Sequence, residues 1–334
     1  MEKPGKQRRR RGRRPPPVLA ALDLGTNNCR LLIAAPGANG AMRIVDSFSR
    51  IVRLGEGVAK TGLLSEAAME RTVAALKVCA ARMDKAKVRH VRAVATEACR
   101  QAANAPVLVE RAAAEAGIAL TVISSAEEAR LAALGCAPLI GDEYEGALVF
   151  DIGGGSTEVI WLRRENGRPL ITHFASVPWG VMTLAEVNGS SGGSDAERYA
   201  AMLADMRTKF AAVRRDMERK GQFEEPRHHL LGTSGTVTTL AGVVLNLPRY
   251  IRAKVDASWH DCAAVLAVAT GLIGMDRKGR GQLGCIGPER ADLIVPGCAI
   301  FTAIHDVWPC TRLRVADRGL REGILRELMA EARR

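Results

Sequence analysis

The sequence predicts an α/β protein of two related lobes, on three observations. One strand–turn–strand phrase occurs twice: VLAALDLGTNNCRLLIA (Val18 to Ala34) lies over GALVFDIGGGSTEVIWL (Gly146 to Leu162), with Asp23 on Asp151, Gly25 on Gly153 and Asn28 on Ser156. Strand-like runs alternate with helical stretches, the pattern of a layered α/β domain. The 334 residues, 47% hydrophobic and 25% charged, are enough for two compact lobes. Copies 128 residues apart indicate two halves, not a short tandem array.

The chain begins with MEKPGKQRRRRGRRPPP, residues 1–17, in which eight basic side chains face one acidic and supply most of the +12 net charge. Pro15, Pro16 and Pro17 forbid a helix there. The segment reads as a disordered basic tail, or as an electrostatic tether for a polyanion such as polyphosphate, RNA or DNA. Nucleic-acid contact has no other support in the sequence. The arginines lead into prolines and not into an apolar run, so no secretory signal is visible.

The first phrase is then read as a hairpin, and so is the second. TEVIWL, after the second turn, is rich in β-branched and aromatic residues, which favour strand over helix. No lysine follows the glycines and no helix opens after them, which excludes a Walker A loop and a dinucleotide fingerprint. What remains is a hairpin tip with exposed amides. Gly153, Gly154 and Gly155 are expected to take positive φ and bring N–H groups close to a ligand, and such concavities bind phosphate. Asp151, and after it Asp23, would repel that phosphate unless a hard cation sat between them. Mg²⁺, or Mn²⁺ in its place, fits: such ions are held by one or two carboxylates plus substrate oxygens.

SSAEEARLAALG (Ser124 to Gly135) follows as a helix start, with Ser125 and Glu128 as one capping box and Ser124 and Glu127 as the alternative register. HLLGTSGTVTTLAGVV (His229 to Val244) reads as a strand end, a glycine turn and a helix opening near Thr236, a second place for phosphate. CAAVLAVATGLIGM (Cys262 to Met275) is too short and too glycine-broken to span a membrane. The closing GLREGILRELMAEA places Leu320, Ile324, Leu325 and Leu328 on one helical face. Eight cysteines without a C-x-x-C pair suit neither a zinc site nor a disulfide framework, so they read as reduced thiols of a cytoplasmic protein. Lobe I is placed at 18–125, with a C-terminal helix within 312–334 as a candidate addition, and lobe II at 126–311.

In order along the chain, ALDLGTNNCRLLI, AVATEACRQAAN, ISSAEEARLAALG, FDIGGGSTEVI, LGTSGTVTTLAG and ERADLIVPGCAI resemble the signatures of the exopolyphosphatase/guanosine pentaphosphate phosphatase family. They span residues 18 to about 325. The family lies in the actin-like, sugar-kinase and Hsp70 ATPase superfamily. The resemblance implies two actin-like (ribonuclease H-like) lobes with an active-site cleft between them. This chain resembles the short form, without a C-terminal HD-like domain. It also implies a homodimer. The implied reaction is Mg²⁺-dependent, processive release of the terminal phosphate of inorganic polyphosphate, or of the 5′ phosphate of guanosine pentaphosphate. One departure is that Ser124-Ser125-Ala126 precede Glu127, where the family commonly has Ser-Gly.

The resemblance makes Glu128, directly before Ala-Arg, the general base, ionised by its helix N-terminus. It makes Glu158 the second active-site glutamate, sharing a strand face with Ser156. Gly153, Gly154, Gly155, Ser156 and Thr157 would hold the phosphoryl group, faced by Asn27 and Asn28. Arg100 would clamp its charge with forked donors, and Gly235 and Thr236 would touch the chain further along. Arg290 reads as structural. Basic RRDMERK (Arg214 to Lys220) and the tail are candidates for retaining a polymer. Less favoured readings are a sugar-kinase-like ATPase and a non-catalytic polyphosphate binder.

Overall fold

Strands β1 (Leu19–Leu24), β2 (Asn28–Pro36) and β3 (Met42–Ile51) form an antiparallel meander. Beyond β1, the strands β4 (His90–Ala95) and β5 (Leu120–Val122) run parallel to it. The order is β3-β2-β1-β4-β5. The second sheet repeats this. Its meander is β6 (Gly146–Ile152), β7 (Thr157–Glu165) and β8 (Arg168–Val177), and β9 (His228–Thr233) lies parallel to β6. A short β10 (Trp259–Asp261) pairs antiparallel with β11 (Arg312–Ala316), which lies parallel to β9. The order is β10-β11-β9-β6-β7-β8. The duplication read from two hairpins thus extends to whole sheets, the mixed α/β two-sheet fold the sequence predicts. This computed structural model describes residues 16–37, 41–165, 168–188, 194–220 and 227–332. The basic tail lies outside the described residues apart from Pro16 and Pro17.

Both sheets are covered on both faces, which explains why β1 and β6 are almost wholly apolar. Ala20, Leu22 and Leu24 pack with Leu76 and Cys79 of the helix Glu66–Lys85, while Leu19 and Ala21 point the other way. In the second sheet Leu148, Phe150 and Ile152 meet the helices Ser234–Val244 and Ile294–Val307, whereas Ala147 and Val149 face away from them. Each fully buried Leu or Phe in these layers contributes roughly 1.5–3 kcal/mol relative to exposure.

The outer faces are covered crosswise. The helix Ser125–Cys136 follows the first sheet in sequence, yet its Ala129, Ala132, Ala133 and Cys136 pack on the second. The closing helix Leu320–Glu331 ends the second sheet's segment, yet Leu320, Ile324, Leu325 and Met329 pack on the first. The two helices touch where glycine leaves room. A Cβ on Gly135 would lie 2.1 Å from the Gly319 carbonyl oxygen, and one on Gly323 would lie 1.9 Å from that of Leu131. This crossing joins the lobes and fixes the start of Ser125–Cys136 at the cleft.

In the basic RRDMERK run Arg214 pairs with Glu218, and Arg219 and Lys220 share Asp216, so the run is partly paired within its own helix and stays net positive. No helix among the described residues is long and apolar enough to cross a membrane.

Candidate active site

The two hairpin tips are built alike. Gly25 N–H donates to Asn28 O at 2.9 Å, and Gly153 N–H donates to Ser156 O at 2.9 Å. In each loop neighbouring backbone takes the carbonyls. Val52 and Arg53 donate to Asn27 O, and Gly55 to Thr26 O. Val181 donates to Gly153 O, and Met182 to Gly154 O. The Thr26, Asn27, Gly154 and Gly155 amides have no protein acceptor among the described residues. The loops therefore present donors to the cleft, as a phosphate cradle requires.

The glycines have a different reason from the one expected. None of Gly153, Gly154 and Gly155 is left-handed; the described glycines at positive φ are Gly57, Gly62, Gly117 and Gly287. The cause is close approach. A Cβ on Gly154 would sit 3.0 Å from Thr26 Cβ and 3.3 Å from Asn27 Cβ, and one on Gly155 would sit 2.8 Å from Thr26 Oγ1. The loop of one lobe rests on the loop of the other.

Five carboxylates line the cavity between them: Asp23, Glu97, Glu128, Asp151 and Glu158. Glu158 is buried, and its Oε1 accepts from Ser156 Oγ and Ser176 Oγ, each at 2.8 Å. Burial, then the charge of Asp151, pushes its carboxyl up to about 7 against those two bonds. Asp151 is raised to about 6 by burial, and Asp23 is raised for the same reason. Helix Ser125–Cys136 uses the Ser124 register: Ser124 Oγ accepts from Glu127 N–H at 3.2 Å. Glu127 is engaged by Arg92 and Arg130, and Glu128 turns to the cleft. Glu128 is not held ionised by its helix end. Burial, then the Glu158 charge, raises its carboxyl well above normal despite Arg100.

The remaining predicted residues divide. Asn27, Asn28, Ser156, Gly235 and Thr236 line the same cavity as the glycine loop. Thr157 does not; it is fully buried and its hydroxyl donates to Trp179 O at 2.8 Å. Arg100 stands behind the cavity wall. It donates to Glu128 at 2.8 Å, to Glu97 at 2.9 Å and to Ile123 O at 3.0 Å, so its fork is occupied by protein acceptors. The helix expected near Thr236 opens at Ser234, which holds φ 81° and donates to Ile152 O at 2.7 Å. A strained non-glycine residue at a cleft is a mark of a functional turn.

Among the polar cavity residues that sequence reasoning left unassigned are Thr26, Arg30, Glu97 and Ser234, and Arg290, read as structural, lines the cavity as well. Arg30 was findable. It sits seven residues after Asp23, as Glu158 does after Asp151, and the β registers pair Asp23 with Arg30 and Asp151 with Glu158. Glu97 and Ser234 carry no such signal, and Arg290 enters from a distant turn.

The donor set suits a hard cation. Among the described residues no three His, Cys, Asp or Glu side chains converge on a metal position by themselves. Mg²⁺ does not need three, since it keeps waters and takes phosphate oxygens. Asp23 and Asp151 offer carboxylates, and the buried Oδ1 atoms of Asn27 and Asn28 have no hydrogen-bond partner. The set is all oxygen, without thiol or imidazole.

Comparison with known proteins agrees with this site. The model of the Ppx/GppA phosphatase family matches residues 32–332. Exopolyphosphatase 2 of Mycobacterium tuberculosis is 33% identical over 290 residues, covering 84% of this chain and 88% of that protein. Guanosine-5'-triphosphate,3'-diphosphate pyrophosphatase of Aeromonas salmonicida is 28% identical, covering 94% of this chain and 60% of that protein. The crystal structure of the Aquifex aeolicus Ppx/GppA family member matches with a TM-score of 0.77 at 29% identity, covering 96% of this chain and 100% of that one. An exopolyphosphatase from Cytophaga hutchinsonii shares the fold, with a TM-score of 0.83 at 24% identity over 94% of this chain and 98% of that one. With a matched family model over most of its length and a relative one-third identical, this chain belongs to the Ppx/GppA phosphatase family.

Proposed function

We propose that the protein is an exopolyphosphatase that hydrolyses the terminal phosphate of inorganic polyphosphate. One observation carries the reading: Glu128 and Glu158 share a cavity with two loops that line it and whose Thr26, Asn27, Gly154 and Gly155 amides have no protein acceptor among the described residues. Donors on both sides suit a terminal phosphoryl group, and a carboxylate pair suits an attacking water.

The roles follow from contacts. The amides of Gly154 and Gly155, with those of Thr26 and Asn27, hold the equatorial oxygens. Ser156 fixes Glu158, which orients the water. Glu128 accepts the proton of that water. Of the two glutamates it alone is hydrogen-bonded to a cation, Arg100, which favours its ionised form. Oxygen of the water bonds to phosphorus as the bond to the bridging oxygen breaks, and the shortened chain leaves with that oxygen. Arg100 acts as a positioning residue, holding Glu128 against Glu97. Asp151 and Asp23 would hold Mg²⁺ or Mn²⁺, which supplies positive charge to the phosphate oxygens when bound. Positioning and electrostatics do most of the work in such transfers. The all-free cysteines support a reducing, cytoplasmic setting.

Guanosine pentaphosphate is the second reading, favoured by one observation. A cavity of about 470 Å³ adjoins the site and is lined by Phe48 and Tyr250, two rings able to face a base. Phosphate release should be measured with long polyphosphate, tripolyphosphate and guanosine pentaphosphate, with Mg²⁺, for the wild type and Glu128→Ala. The expected result is release from polyphosphate, lowered about 10²–10⁴-fold in the variant. Release from the nucleotide alone would overturn the substrate, and full turnover by Glu128→Ala would remove the base.

A further inference from the structure

Neither phosphate cradle stands by itself; each is braced by a second segment of its own lobe. In the first lobe the brace is the loop of residues 52–57, which follows β3. Val52 and Arg53 N–H donate to Asn27 O at 2.9 and 3.0 Å, and Gly55 N–H donates to Thr26 O at 2.9 Å. In the second lobe the start of helix Val181–Asn188 does the same. Val181 N–H donates to Gly153 O at 3.0 Å, Met182 N–H to Gly154 O at 2.8 Å, and Thr183 Oγ1 to Gly155 O at 3.3 Å. Each brace also meets its cradle through a glycine. A Cβ on Gly55 would lie 2.2 Å from Thr26 Cγ2, and one on Gly180 would lie 2.5 Å from Gly153 O. Packed this closely, neither brace can shift without moving the cradle it carries.

The two braces are joined to each other. Glu186, on helix Val181–Asn188, crosses to the first lobe, where its Oε1 accepts from Gly57 N–H at 3.0 Å. The turn that presents this N–H has φ 79° at Gly57, which glycine adopts without strain. A carboxylate accepting a backbone N–H makes a charge-assisted bond, stronger than one between neutral groups. A second tie between the lobes, Arg53 Nη2 to Asp292 Oδ2 at 3.8 Å, is long and half-exposed and adds little. The path from one cradle to the other therefore runs from Thr26 O through Gly55, Gly57, Glu186 and Met182 to Gly154 O. Glu186 lines neither the catalytic cavity nor the one beside it. Its other oxygen, Oε2, is buried without a hydrogen-bond partner among the described residues. A buried polar atom left unpaired costs stability, so this arrangement serves the cradles at some cost to the fold.

We propose that Glu186 is a positioning residue for the hydrolysis, a strut that holds the Thr26–Asn27 cradle in register with the Gly154–Gly155 cradle so that amides of both lobes meet one phosphoryl group. This rests on the reading of the cleft as a phosphate hydrolase site. Glu186 binds no substrate and moves no proton. It sets the spacing of two donor sets. A transition state with its charge spread over the equatorial oxygens depends on that spacing more than bound substrate does, so the loss on removing the strut falls on kcat.

The test compares the full-length wild type, Glu186→Ala and Glu186→Gln, with thermal melts to confirm folding. Phosphate release from long polyphosphate with Mg²⁺ is measured at steady state, and backbone hydrogen exchange is read by mass spectrometry. Glu186→Ala is expected to lower kcat at least about ten-fold with KM within about three-fold, since about 1 Å of misplacement costs up to about 10²-fold. Gln keeps an acceptor for Gly57 N–H and should recover most of the loss. In Glu186→Ala exchange should quicken in both braces, residues 52–58 and 180–184, and stay unchanged in the crossing helices Ser125–Cys136 and Leu320–Glu331. A kcat within about two-fold of the wild type, a Gln variant no better than Ala, or quicker exchange in one brace alone overturns the strut. If the wild type releases no phosphate from polyphosphate or from guanosine pentaphosphate, the hydrolase reading fails, while the exchange pattern still decides whether Glu186 joins the two cradles.

Discussion

The two hairpins have one backbone and opposite cargo. Each has an aspartate near the end of its first strand, a Gly–x–x turn closed by the same 2.9 Å bond, and loop amides without a protein acceptor among the described residues. At the position facing the aspartate, the first hairpin carries Arg30 and the second Glu158. A duplicated scaffold gives two equivalent cradles about the cleft, and one side chain in each sets its role. In the proposed reaction the positive side would meet the substrate chain and the acidic side would orient the water. In the proposed reaction a symmetric pair of arginines would leave no carboxylate at position 158 to orient the water, and a symmetric pair of glutamates would repel the substrate.

Replacing the acidic member should separate its two effects. Glu158→Gln is expected to lower kcat about 10²–10⁴-fold, with a much smaller change in KM. It should also change stability in a pH-dependent way, measured by urea unfolding without divalent ions. Burial raises the Glu158 carboxyl from its ordinary 4.5 to about 7, so the folded state binds the proton more tightly than the unfolded chain. The stability gained from that proton is complete below pH 4.5 and is lost as pH rises through 7. The glutamine variant keeps an acceptor for Ser156 and Ser176 and carries no buried charge. It should be about 3 kcal/mol more stable than the wild type at pH 8 and no more stable at pH 4.5. A stability difference independent of pH would break the assignment of an opposed charge to this position.

The loops differ a second time, in how much space their glycines have. A Cβ on Gly25 meets only Asn28 O at 3.6 Å, an ordinary contact, whereas one on Gly154 or Gly155 runs into Thr26 of the other lobe. Gly154→Ala and Gly155→Ala should push the lobes apart at the cleft and reduce kcat/KM by 10- to 100-fold, since about 1 Å of misplacement has that scale of effect. Gly25→Ala should stay within about two-fold. Equal losses in all three would mean that glycine serves backbone freedom in both loops and that the contact between lobes is incidental.

How much of this was legible beforehand follows the same division. The strands, the duplication and the facing hairpins were readable, because strand periodicity and a repeated phrase are local signals. Glu158 and Ser156 were placed on one face by alternation alone, and their hydroxyl–carboxylate bond at 2.8 Å agrees. What was not legible depends on distant segments meeting. Arg100 looked free to clamp phosphate because nothing nearby in sequence shows that Glu97, Glu128 and Ile123 O would occupy its fork. Thr157 belongs to the glycine phrase, but β pleating turns it to Trp179. Positive φ is the reason a sequence alone offers for these glycines, because it shows no neighbour from the opposite lobe. Glu128 was expected to be ionised from its helix position, a local effect, and burial beside Glu158 outweighs it.

The smallest expected effect tests where this cleft is anchored. Glu127 and Glu128 are neighbours in one helical turn and meet opposite surroundings. Glu127 bridges Arg92 of β4 and Arg130, and both arginines also pair with Glu327 of the closing helix. The Arg130 bond, then that of Arg92, lowers its carboxyl to about 2. This network ties the first sheet to both crossing helices at a partly exposed surface, where ion pairs contribute up to about 1 kcal/mol. Glu127→Gln should therefore cost about 1 kcal/mol at pH 7 by urea unfolding. That difference should fade as pH drops from 4.5 toward 2, where the wild-type carboxylate is also neutralised. Its kcat should match the wild type, because Glu127 touches neither loop. A catalytic loss comparable to that of Glu128→Ala would show that the position of Glu128 is set by the surface network and not by Arg100.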